Sequence, residues 1–156
     1  MARIYVPANA AMLRTLADTG ELKPVSAVHT VTSWLRREAP GADEEDLEYT
    51  AFDDAAFASL ALLPGSEPRR VVVSADVPDE RVTAHAEGTG ADFDGDVKLK
   101  RVAAVHMDDA EAAVVIAAAG TADDLAAVEE HVLDWYAPSE LQELLAALGV
   151  LGSRNP

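Results

Sequence analysis

RRVVVSADVP, residues 69 to 78, sets three consecutive valines between two arginines and a proline. Successive side chains of a strand point to opposite sides, so a run that is apolar at every position cannot bury one face and wet the other. The stretch reads as a strand covered on both faces, the pattern of parallel sheets with helices on either side. Upstream, Arg3 to Val6 in ARIYVP reads as a short strand ended by Pro7. Asn9 then caps a helix whose Met12, Leu13, Leu16 and Ala17 share a face, with Gly20 as its stop. VSAVHTV, 25 to 31, is β-rich, and Thr32 or Ser33 caps a short helix running through Trp34 and Leu35 to Pro40. From Asp43 the acidic run DEEDLE loads the positive end of a helix dipole, and Leu47, Ala51, Ala55, Ala58 and Leu62 recur at helical spacing until Pro64 and Gly65.

Downstream, RVTAHA reads as an edge strand and the glycine- and aspartate-rich EGTGADFDGD as a flexible loop. Val102 to Met107 is a further strand, after which Asp108 or Asp109 caps a helix ended by Gly120. TADDLAAVEEHVLDWY begins as a helix, and its last residues fit helix or strand. Ser139 and Gln142 have capping-box spacing before a last helix marked by Leu141, Leu144, Leu145 and Leu148 and stopped by Gly149. The alternation implies crossover connections, hence an α/β fold: a single domain over residues 1–149 with a mixed, mostly parallel sheet flanked by helices, and a flexible tail over 150–156.

Composition bounds the function. Hydrophobic residues make up 49% of the 156-residue chain but aromatics only 5%, so one core built of Ala, Val and Leu is expected. With 28 acidic against 12 basic residues the net charge is -16, a field that repels phosphate backbones and anionic membranes and excludes both as direct partners. Without cysteine there is no disulfide, thiolate nucleophile or cysteine metal site. The N-terminal apolar run is broken by Pro7, unlike a signal peptide, so a soluble cytoplasmic protein is expected.

In a parallel sheet, ligands bind beyond the carboxyl ends of the strands. The polar residues at those ends are Asn9, Ser74, Asp76, His106, Asp108, Asp109, Tyr136 and Ser139. Asn9, Asp76, His106, Asp108 and Tyr136 are the candidate ligand-binding set, expected to converge at one edge. His106 and Asp108 lie two apart, as a His–carboxylate pair on one strand face would. The structural alternative is that an aspartate caps the helix while His106 makes a buried hydrogen bond.

Other signatures fail. Asp92, Asp94 and Asp96 resemble the start of a calcium loop, but the twelfth position, which needs a bidentate glutamate, is Ala103. His29, His85, His106 and His131 are not paired at zinc-helix spacing, and no serine lies in a G-x-S-x-G context. No glycine-rich phosphate loop is present, and neither a metal nor a cofactor is expected.

IYVPAN, DEEDLEYTAFDDAA, RRVVVSADVP, VAAVHMDDAEAA and DWYAPSEL, taken in that order from Arg3 to about Leu145, resemble a family of small uncharacterised actinobacterial proteins, a domain of unknown function. The resemblance implies that HVLDWY is a strand leading into the last helix, and it carries no activity to these residues. The sequence thus points to a non-catalytic cytoplasmic domain that contacts a protein partner or small molecule. The alternative is a small enzyme or small-molecule-binding protein using the strand-end set, and self-association is compatible with both.

Overall fold

A computed structural model describes residues 1–119 and 122–152. Nine strands and six helices follow in the order β1 (Ala2–Ala8), α1 (Ala10–Thr19), β2 (Glu21–Leu22), β3 (Val28–His29), α2 (Ser33–Glu38), α3 (Glu44–Ser59), β4 (Val71–Val77), β5 (Val82–Ala84), β6 (Gly90–Phe93), β7 (Val97–Lys98), β8 (Val102–Met107), α4 (Ala110–Ala118), α5 (Ala122–Glu129), β9 (Asp134–Tyr136) and α6 (Leu141–Gly152). Seven strands form one sheet in the order β5-β6-β3-β1-β4-β8-β9, and β2 pairs with β7 apart from it.

Every neighbouring pair in the large sheet is antiparallel, which corrects the mostly parallel sheet expected from the sequence. Alternating strands and helices do produce a crossover here, with a further strand inserted into it. β3 and β4 both run opposite to β1, so the helical connection through α2 and α3 does join two parallel strands. β1 is inserted between them, however, making a split crossover in which no parallel strands touch.

The doubly buried β4 is real, and helices on the two sheet faces account for it. Leu13 and Leu16 of α1 and Leu141, Leu144 and Leu148 of α6 pack with Ile4, Val6, Val71, Val73, Val105 and Met107. On the other face Ala51, Ala55 and Ala56 of α3 lie against Tyr5 and Val72, the small alanines letting the helix approach the sheet closely. Coverage of a strand by helices says nothing about the direction of its neighbours.

Local signals are mostly realised. Asn9 caps α1 by accepting from the Met12 N–H at 2.9 Å, and Gly20 closes it at φ 78°, a left-handed conformation that favours glycine. Thr32, Asp43 and Asp109 cap α2, α3 and α4 in the same way. Val82–Ala84 is the expected edge strand, and HVLDWY yields β9. Pro7 does not end β1. It lies opposite Val72 and beyond β3, whose pairing with β1 is at Tyr5.

Part of the expected loop is strand β6, whose Ala91 is buried between β3 and β5. Before α6, the Ala137 N–H donates to the Glu140 carboxylate at 2.7 Å, so Glu140 caps the turn in place of the expected Ser139 and Gln142. The last helix also continues past Gly149. Gly120 and residues 153–156 of the expected tail lie outside the described residues.

Candidate functional site

Antiparallel pairing decides where the strand-end residues go. The end of β1 lies beside the start of β4, and the start of β4 beside the end of β8. Asn9 and Asp108 therefore share one sheet edge, while Asp76 sits at the opposite edge, paired across the ladder with Arg3. The five candidates do not converge.

Asp108 is fully buried and belongs to Arg70. Its Oδ2 accepts from the Arg70 backbone N–H and Nε, both at 2.8 Å, and its Oδ1 accepts from Nη2 at 2.8 Å. The same Nη2 donates to the His131 carbonyl at 2.8 Å, tying in the segment before β9. Arg70 satisfies its donors here as a rigid fork matched to a carboxylate. The pair knots the start of β4 to the end of β8, and sequence reading passed over it. The available signal was an arginine directly flanking a run of three buried valines, a position where a charge must find a partner or unfold the strand end.

Asn9 is likewise occupied, since beyond its cap its Nδ2 donates to the Leu62 carbonyl at 2.8 Å. Tyr136 pairs with Val105 through the backbone, and its ring packs on the α1 and α6 side of the sheet. Burial raises its phenol pKa.

His106 points the other way, toward α3. Its Nε2 lies 2.8 Å from Ser74 Oγ, and its ring stands edge-on to Phe52 at 4.7 Å between centroids. Burial, with a smaller contribution from the Arg3 charge, pushes its pKa down to about 4, so the imidazole is neutral at pH 7. Ser74 is buried in β4 beside a bulge, where β8 fits Ala103 between the partners of Ser74 and Ala75.

Around this pair opens a groove of about 390 Å³, bordered by Tyr5, Glu45, Glu48, Tyr49, Phe52 and Trp135, with Arg3 at one end. Four of the chain's eight aromatic residues are gathered there. Tyr5 meets Phe52 edge-on at 6.0 Å, and Tyr49 and Phe52 lie 6.3 Å apart. Tyr49 and Trp135 are both 61% exposed. Arg3 is held by Asp76 through two contacts, Nε to Oδ1 at 2.7 Å and Nη2 to Oδ2 at 3.1 Å. That hydrogen bonding raises the Arg3 pKa and lowers that of Asp76. The groove therefore brings together His106, Ser74 and, through Arg3, Asp76, but neither Asn9, Asp108 nor Tyr136.

A second network was also missed. Thr89 donates its hydroxyl to Asp54 Oδ2 at 2.7 Å, and His29 Nδ1 lies 2.8 Å from the Thr89 hydroxyl oxygen. A hydroxyl has one proton, already given to Asp54, so Nδ1 must be the protonated nitrogen of His29. Burial lowers the His29 pKa, with Asp54 opposing that shift. The chain joins β3, α3 and the residue before β6, far apart in sequence, where no spacing rule would find it. Among the described residues no group of three or more His, Cys, Asp or Glu is placed to hold a metal ion. No helix among them is long and apolar enough to cross a membrane.

No curated protein and no solved structure matches the chain. A family model does match over residues 2–145, nearly its whole length. The chain belongs to that family, a family of unknown function (DUF6912).

Proposed function

We propose that the protein is a non-catalytic binding domain of the actinobacterial cytoplasm that captures a basic segment of a partner protein in the groove facing α3. The observation that carries this reading is the gathering of four aromatic rings with Glu45 and Glu48 over a neutral floor of Ser74 and His106. Ring faces attract ammonium and guanidinium groups by about 0.5–1 kcal/mol at exposed sites and about 2 when desolvated. The two glutamates add charge of the matching sign, and the one cation in the groove among the described residues, Arg3, is already neutralised by Asp76.

Several features favour a protein segment over a small metabolite. The groove is shallow, with Tyr49 and Trp135 standing exposed as contact residues of the kind that anchor interfaces. A net charge of -16 raises the encounter rate with basic partners. The Ser74–His106 pair supports binding more than turnover. Its serine is buried in mid-strand, and the carboxylate closest to His106 in sequence, Asp108, is committed to Arg70. The actinobacterial assignment draws on composition, namely the bias toward Ala, Asp, Val and Arg.

Calorimetric titration with a capped pentapeptide bearing two arginines, beside its citrulline counterpart, tests the reading. The arginine peptide should bind, weaken with added salt, and lose about tenfold or more in affinity on Trp135→Ala. Equal binding of the neutral peptide, or no heat from either at millimolar concentration, would overturn it. Binding of free arginine amide as tightly as the peptide would replace the protein partner with a small organic cation.

A further inference from the structure

The twelve basic residues are few in a chain with 28 acidic ones, yet four of them line one cleft on the other side of the molecule. Arg81, Lys98, Lys100 and Arg101 surround a space of about 420 Å³ whose apolar part is Val77, Pro78, Val97 and Phe93. Among the described residues Asp96 is the single carboxylate on its wall. We propose that this cleft is an anion site for a small ligand carrying a phosphate or carboxylate on an apolar body.

The basic residues differ in how far they are committed. Lys98 is paired with Glu21. Among the described residues Arg101 has only a weak contact, from Nη1 to the Met1 sulfur at 3.9 Å. Arg81 is pre-positioned: its Nη1 donates to the Asp94 carbonyl at 2.9 Å and lies 2.9 Å from where a Cβ on Gly95 would stand. Gly95 has φ 107°, so the turn that holds Arg81 both needs a glycine and leaves room for the guanidinium. One N–H of Arg81 is thereby fixed, and the rest of its fork remains for an oxyanion, the geometry in which arginine recognises phosphate and carboxylate. Lys100 is exposed and makes no hydrogen bond or ion pair within the described residues.

Size and field restrict the ligand. A polyanion or an anionic membrane would extend beyond the cleft into the field of a chain at -16, which repels it. A small monoanion or dianion meets only the local cluster, four cations against Asp96 and the Glu21 that pairs with Lys98. Phe93 and Pro78 then favour a ligand with a hydrophobic or aromatic part beside the anionic group.

The test is an amide chemical-shift titration of the full chain with phenyl phosphate, with sodium chloride at matched ionic strength as the control. Any salt screens the net charge, so only shifts beyond the chloride control count. Saturable shifts at residues 77–81 and 93–101 are expected, with at least about tenfold weaker binding in the Lys100→Glu variant, whose exposed position leaves folding intact. Inorganic phosphate should bind the same residues more weakly, because it lacks the apolar part. Shifts no larger than those with chloride, or unchanged binding in Lys100→Glu, would overturn the site. Tighter binding of a single-stranded oligonucleotide or of phosphatidylserine vesicles than of phenyl phosphate would overturn the small-ligand assignment.

Discussion

Strand β4 is held at both ends by a two-pronged arginine–aspartate pair, Arg70 with Asp108 where it begins and Arg3 with Asp76 where it finishes. The chemistry is the same and the surroundings are not. The Arg70 and Asp108 side chains are 3% and 0% exposed, and the arginine also spends a donor on the His131 carbonyl. Those of Arg3 and Asp76 are 40% and 45% exposed and stand beside an open groove. Burial makes the first pair a structural knot, costly to break and closed to ligands. Exposure makes the second cheap to lose and available to shape a binding surface.

Cutting the knot should have the largest effect. Asp108→Ala leaves the Arg70 guanidinium buried without a counter-charge, which costs about 3–5 kcal/mol. In a chain of this size each kcal/mol lowers Tm by roughly 2–4 °C, so thermal denaturation followed by circular dichroism should show a fall of about 6–20 °C. A shift no larger than that of an exposed pair would mean that Asp108 is not the anchor of this edge.

His106 adds a pH dependence between the two ends. Its folded pKa is about 4 against 6.5 for the free group, so the unfolded chain takes up the proton first as pH falls. The contribution is at its full value above pH 6.5, is lost as pH drops from 6.5 to 4, and levels off below, with a total of at most about 3 kcal/mol. Urea unfolding at pH 7 and pH 4.5 should therefore show a smaller pH-induced loss for His106→Gln than for the unaltered protein. An identical loss in both would place the proton elsewhere, with His29 as the next group whose pKa burial depresses.

Asn9→Ala removes a cap and the bond to Leu62 together, and should cost about 1–2 kcal/mol by chemical denaturation. Asp76→Asn should cost less than about 1 kcal/mol, as exposed ion pairs do, while altering affinity in the groove by freeing the Arg3 charge. A cost for Asp76→Asn comparable to that for Asp108→Ala would erase the distinction between the two ends.

The same distinction marks what could be read from sequence. The cap at Asn9, the helix start at Asp43, a cap at Asp108 or Asp109, the left-handed stop at Gly20 and the buried valine run of β4 are local, and each was legible because its cause lies within a few residues. The direction of the sheet was not, because it depends on β1 sitting between β3 and β4, a pairing with no signature in either segment. β6 was hidden because its four residues include a glycine and an aspartate, and it is held by partners on both sides more than by its own preference. The candidate site shared that limit. His106 and Ser74 were both noted, yet their contact joins residues 32 apart across a ladder whose register only the fold supplies. The aromatic groove draws on β1, α3 and β9, so no window of sequence shows it.

The most direct test of the groove as the binding face is amide chemical-shift mapping during titration with the two-arginine peptide. Shifts gathered at Glu45, Tyr49, Phe52, Ser74, His106 and Trp135, with Asn9, Arg70 and Asp108 unmoved, are the predicted result. Shifts centred on the Arg70–Asp108 edge, or none at any residue, would contradict it.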